Sequence, residues 1–177
     1  VARAARTAEG LMASRIGSAI TSKIVALMTA PQGVSVELAA LAPPDQAAAS
    51  LWQASQVRAQ NAAADLVERS SGTQYPAANV YCEKLVNKLT EKFRTFSGTA
   101  QMAIEIRYSQ DRLEGLQDRL ELYTDAVAQT LDGSRGDWGD GMFFAGAYEA
   151  SYGAIKHGGK NFVQQAKITF DIEVSVN

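Results

Sequence analysis

The sequence predicts an α+β fold: a mostly antiparallel sheet of four strands or more, two helices packed on one face, and an Ala-rich helical or arm insertion. Three observations carry that expectation. Phe162, Gln164, Ala166, Ile168, Phe170, Ile172, Val174 and Val176 alternate with Val163, Gln165, Lys167, Thr169, Asp171, Glu173 and Ser175, the period of a strand with one buried face. Met142, Phe144, Gly146, Tyr148, Ala150 and Tyr152 alternate upstream, and the intervening Lys156-His157-Gly158-Gly159-Lys160-Asn161 supplies the glycines of a reversal. Finally, residues 3–29 and 111–131 repeat apolar side chains at helical spacing.

Taken in order, the elements justify themselves as follows. Residues 3–29 form a helix with Met12, Ile16, Ile20, Ile24 and Met28 at i+4, ended by Pro31 and Gly33. Its ordinary role is packing on the sheet; its sharper one is contact between subunits. Residues 34–73 are the least legible. Pro43-Pro44-Asp45 opens an Ala-rich helix, broken or whole, running to Leu66 with Leu51 and Trp52 as its first anchors, before the loop Ser70-Ser71-Gly72-Thr73. Tyr75–Cys82 is the first strand, with Pro76 near its start where a missing donor does least harm. In residues 83–96, Leu85, Leu89, Phe93 and Phe96 stand among Lys84, Lys88, Lys92 and Arg94, and periodicity leaves helix and twisted strand pair open. Thr99–Tyr108 is the second strand.

Asp111, with Glu114 three residues on, forms a capping-box-like start to the next helix, and Gly133 stops it. Leu113, Leu116, Leu120, Tyr123, Val127 and Leu131 make its apolar stripe; Glu114, Asp118, Glu121 and Asp125 make its other face acidic. A loop from Asp132 to Gly141 leads into the terminal hairpin.

Composition narrows the function classes. Of 177 residues, 46% are hydrophobic, enough for one well-packed domain, and the net charge of −2 argues against direct gripping of nucleic acid. The charge is uneven: Arg3, Arg6, Arg15 and Lys23 face Glu9 alone in residues 1–33, while acids outnumber arginines in residues 99–142. Cys82 is the single cysteine, so no internal disulfide or Cys-rich metal site is available. Without a long apolar run or a signal-peptide pattern, the expectation is a soluble protein made inside a cell, with no membrane partner.

No catalytic group emerges. His157 sits in a Lys/Gly turn without a Ser, Cys or Asp signature around it. Gly153 to Lys160 misses the phosphate-loop register, because Gly159 follows Gly158 and Asn161 follows Lys160. Asp132, Asp137 and Asp140 lack calcium-loop spacing, so no metal or cofactor is expected. Arg135-Gly136-Asp137 spells an adhesion tripeptide that common loop residues produce by chance. Of the aromatics beside it, Phe144 is assigned to the core and Trp138 to a partner.

The residues in sequence resemble phage tail terminator proteins. Tyr75-Pro76-Ala77-Ala78-Asn79-Val80-Tyr81 resembles their first strand; a second strand and a Leu-rich acidic helix ending Tyr123–Leu131 follow in the same order. Gly146–Tyr152 and Ala166–Val174 resemble their closing hairpin, and the N-terminal helix fits. The resemblance covers residues 3–30 and 75–176, whereas residues 34–73 and 83–98 depart from the compact pattern. It implies a single-domain structural virion protein, no enzyme, assembled in the host cytoplasm into a homo-oligomeric ring, usually a hexamer. The ring would cap the tail tube, stop its polymerisation, and meet the neck or stopper protein, with DNA passing through the lumen. It further implies contact residues at Arg135, Trp138, Lys156, His157, Lys160 and Asn161, and a lumen-facing acidic set at Glu114, Asp118, Glu121 and Asp125 or in the Asp132–Asp140 loop, the alternative for the helix acids being a solvated face. Rival expectations are another head–tail connector or completion protein, a small-ligand or enzymatic domain under the 83–98 excursion, and an adhesion module using Arg135-Gly136-Asp137.

Overall fold

A computed structural model describes residues 15–42, 52–61, 74–89, 91 and 93–177. The helices are α1 (Ile16–Thr29), α2 (Val34–Leu41) and α3 (Leu116–Asp132). The strands are β1 (Val57–Arg58), β2 (Ala77–Asn87), β3 (Phe96–Gln110), β4 (Gly136–Gly139), β5 (Met142–Phe144), β6 (Tyr148–Tyr152), β7 (Lys156–Gly158) and β8 (Asn161–Val176). They form one eight-stranded sheet in the order β1-β2-β3-β8-β5-β4, with β6 and β7 also paired to β8. β1 runs parallel to β2 and all other pairs are antiparallel, so the α+β expectation holds with a larger, mixed sheet.

The spine is the β3–β8 ladder, in register from Phe96↔Val176 to Gln110↔Phe162. At 15 and 16 residues these strands far exceed the usual ~5–6. Even positions of both, among them Met102, Ile104, Ile106, Ile168, Phe170 and Ile172, are buried beneath the helices, as the alternation predicts. α1 covers β2 with Ile16, Ile20, Ile24 and Met28 buried, the expected stripe; Met12 and the rest of residues 3–14 lie outside the described residues. α3 lays Leu116, Leu120, Tyr123, Val127 and Leu131 onto the sheet, and α2 packs on α3, so three helices share this face where the sequence predicts two.

Other departures have local causes. Over residues 52–61 the helix expected from Pro43 to Leu66 is reduced to one 3₁₀ turn, Ala54–Gln56; its remaining stretches lie outside the described residues. Trp52 is buried edge-on against Tyr123, 5.6 Å between centroids, and Val57 and Arg58 pair with Ala78 and Asn79, so sheet-edge pairing and aromatic burial override Ala-rich helix propensity. Of residues 83–96, the first five complete β2 and Phe96 opens β3, so the strand-pair alternative holds among the described residues. A bulge between Cys82 and Lys84 flips the parity, so Ala78, Val80 and Cys82 share a face with Leu85, and neither regular period fits the stretch.

Asp111 does not cap α3. Gly115 stands at the N-cap in a left-handed conformation, φ 73°, without a side-chain cap, and Leu113 is stranded outside the helix and exposed. Gln110 Nε2 donates to the Arg112 and Glu114 carbonyls at 2.8 and 2.7 Å, tying that turn to the end of β3. The expected loop Asp132–Gly141 instead contains β4, which pairs with β5. The single strand expected over Met142–Tyr152 is two, split at Gly146, whose φ is 97°. Because Met142 opposes Val174 and Tyr148 opposes Phe170, the break preserves face parity.

Gly141 turns β4 into β5 with φ 72°, and a Cβ there would lie 1.9 Å from the Ser175 carbonyl oxygen, which is backbone. Gly141→Ala is therefore expected to destabilise the fold by about 2 kcal/mol or more, read as a lower midpoint in urea. An unchanged midpoint would show that the turn has another conformation.

Candidate interaction surfaces

The helix-free face of the sheet carries a polar network. Glu105 and Arg107 sit two residues apart on β3, on the same face, between Tyr81 of β2 and Gln165 of β8. The Tyr81 hydroxyl donates to Glu105 Oε1 at 2.6 Å, and the Arg107 guanidinium donates to Glu105 Oε2 at 2.8 Å and to Gln165 Oε1 at 3.3 Å. Arg107 is only 2% exposed, so its charge depends on these partners. Two residues along β8 from Gln165, the Lys167 ammonium pairs across β3 with Glu83, which stands in the β2 bulge. Burial pushes the Tyr81 phenol far above its ordinary value, reinforced by its bond to Glu105 and that carboxylate's charge, so it remains a donor. Burial likewise raises the Cys82 thiol, which disfavours the reactive thiolate.

The residues singled out from sequence occupy three separate places. Lys156, His157, Lys160 and Asn161 form the exposed tip of the β7–β8 hairpin, where the His157 ring meets Phe162 edge-on at 5.3 Å. Arg135 is exposed and ion-paired with Asp132 at the end of α3. Trp138, on β4, is half-buried: its ring lies 5.6 Å from that of Phe144, and its Nε1 donates to the Ser134 carbonyl at 2.6 Å. Phe144 is fully buried, as expected of a core residue. Lys23 of α1 donates to the Trp138 carbonyl and pairs with Asp140 at 3.0 Å, closing one end of an open groove of about 480 Å³ lined by Ala26, Leu27, Arg135 and Asp137.

Of the acidic set, Glu114 lies in the turn before α3, while Asp118, Glu121 and Asp125 follow one stripe of the helix. Gln117 donates to Glu121 at 2.8 Å. Burial and then the neighbouring Glu121 raise the Asp125 carboxyl. Tyr152 and Tyr148 of β6 stand beside this stripe; burial raises both phenols first, with Asp132 next for Tyr148 and the charges of Asp125 and Glu121 adding for Tyr152. The structure thus joins the acids to two exposed tyrosines, a neighbourhood that helical spacing alone cannot show.

Two features escape sequence reasoning. The Tyr81–Glu105–Arg107 network was marked only by charged residues at the odd positions of an otherwise apolar strand. The β2–β3 hairpin tip displays Leu89, 62% exposed, and Phe93, 95% exposed, beside the exposed Lys84 and Lys88. Among the described residues, no three His, Cys, Asp or Glu side chains converge as a metal site, and no single helix is long and apolar enough to cross a bilayer. No protein-family model matches the chain, and no curated protein matches it in sequence.

Two measurements test the polar face. Arg107→Ala leaves Glu105 without its buried cation and is expected to cost about 3 kcal/mol, seen as a lower thermal midpoint. Because the folded state raises the Tyr81 phenol, its contribution is complete below the ordinary tyrosine value and is lost as pH rises beyond about 10. Tyr81→Phe should therefore flatten the alkaline fall in stability relative to the parent chain; parallel curves would remove Tyr81 from that role.

Proposed function

We propose that the chain is a structural protein of a phage tail: it assembles into a ring that caps the tail tube, stops its polymerisation and joins the tail to the capsid neck. The order of elements supports this reading, since helix, strand pair, acidic helix and long closing hairpin occur in the structure as they do in tail terminators. The observation that carries it is the contrast between the two sides of the sheet. The β2–β3 side ends in an apolar, lysine-bearing tip, and the β6 side presents tyrosines beside carboxylates. A ring contact is heterologous, so each copy must bear two unlike patches on different sides, and this fold provides them.

In this reading the β7–β8 tip, with Lys156, His157, Lys160 and Asn161, is an axial contact with the tube or the neck. It projects at the end of the β3–β8 spine, opposite the β2–β3 tip. DNA passes through the lumen without sequence-specific contacts, in keeping with the net charge of −2. The protein's place is then the virion tail, reached by assembly in the host cytoplasm.

Solution mass by light scattering, with negative-stain images, tests the proposal. Closed rings of a hexamer's mass are expected, and a chain that stays monomeric at high concentration would sink it. Lys160→Glu lies on an exposed tip. It is expected to leave the unfolding free energy within ~0.5 kcal/mol of the parent and to lower the yield of joined particles in a complementation assay.

A further inference from the structure

We infer that the β2–β3 hairpin of one copy docks against the α3–β6 flank of the next, a basic apolar tip meeting an acidic, tyrosine-lined wall. The inference rests on the ring reading above and names the two surfaces that meet.

The tip is built to display its side chains. Leu89 takes φ 48°, a left-handed conformation costly for a branched residue. Asn87 Oδ1 holds it there, accepting from the Leu89 and Ser97 N–H groups at 3.1 and 3.2 Å, while Leu89 N–H also donates to the Ser97 carbonyl at 3.0 Å. This turn leaves Leu89 62% exposed, and Phe93, four residues on, is 95% exposed. Protruding apolar side chains of this size are typical anchors for a partner's surface. Lys88 adjoins Leu89, Lys84 lies further down β2 opposite Gln101, and no ion pair among the described residues engages either lysine.

The flank is the complement. Tyr148 and Tyr152 are 38% and 42% exposed, and tyrosine supplies contact area at small entropic cost. Glu121 and Asp125 are one helical turn apart, so their like charges oppose each other in the isolated chain and a docked cation would relieve them. Asp118 extends the same stripe. β3 and β8 separate the tip's β2 from β6, so the two patches lie toward opposite sides of the sheet and a copy cannot satisfy its own. Complementary charge on opposite sides is the requirement for head-to-tail joining. The acidic stripe then belongs to the contact between copies in place of the channel wall.

The test uses the full chain in two complementary variants: Lys84→Glu with Lys88→Glu, and Glu121→Lys with Asp125→Lys. Each alone places like charges across the contact and should weaken association on the order of a hundredfold or more. Sedimentation velocity would then show loss of the ring, with circular dichroism unchanged. An equimolar mixture should regain the parent mass, because in an alternating ring every reversed, acidic tip meets a reversed, basic flank and every parent tip meets a parent acid pair. Should a reversal misfold, Phe93→Ala supplies a variant at a fully solvent-facing position, and weakening of roughly tenfold is expected. A parent chain that never associates overturns both the ring and this contact. A parent ring whose mass survives the reversals or Phe93→Ala, or single variants that the mixture fails to rescue, overturns the contact alone.

Discussion

β3 and β8 exchange backbone hydrogen bonds without a slip from Phe96↔Val176 to Gln110↔Phe162, and every other element takes its position from that ladder. A slip of one residue would turn Ile168, Phe170 and Ile172 away from the helices and bring Lys167, Thr169 and Asp171 beneath them. Burial of one face therefore specifies the register of the whole spine. The outer edge of β8 then accepts β5, β6 and β7 in succession; the break between β5 and β6 keeps face parity, whereas β7 pairs with the opposite parity, setting His157 across from Phe162. β2 on the other edge has less support: beyond the β1 pairing its outer side is free among the described residues, and it carries the bulge.

The two faces of the sheet are held by different physics. On the helix side, burial of aliphatic and aromatic surface dominates, with Phe144 set between Trp138, tilted against it, and Phe170, edge-on to it, near the β4–β5 hairpin. The opposite face buries an arginine, which is tolerable only because Glu105, Gln165 and Tyr81 are already aligned by the strands around it. Removing water from such a network strengthens its hydrogen bonds and makes each missing partner costly. That face is thus specific in geometry while contributing little net free energy.

Assembly asks something different of the molecule. A proposed ring needs rigid, unlike patches at the margins, and the spine delivers them: the β2–β3 tip at one end, the β7–β8 tip at the other, and the α3–β6 flank along one side. The hydrogen-bonded Asn87 turn and the tyrosines of β6 have no evident role in the core. Their exposure is intelligible if another copy covers them.

Strand and helix periods in the sequence were enough to establish the α+β class, the closing strand with its buried even face, the α1 stripe and the apolar face of α3. Those patterns are local: each depends only on the spacing of side chains along one element. The start of α3, the bulge at Cys82–Lys84, the split at Gly146 and the β4 strand depended on backbone pairings between distant segments, which leave little trace in a periodicity. Trp52 was visible as an anchor, yet only its edge-on burial against Tyr123 explains why its Ala-rich surroundings form no α-helix there. The resemblance to tail terminators came from the order of elements, and it proposed a role without saying which side chains carry it. Tertiary structure alone decided that Glu121 and Asp125 stand beside Tyr148 and Tyr152, that Arg107 bonds Gln165 directly and is linked to Tyr81 through Glu105, and that Leu89 and Phe93 point into solvent. Each of those facts joins or exposes residues far apart in the chain, and only the three-dimensional path determines which of them meet.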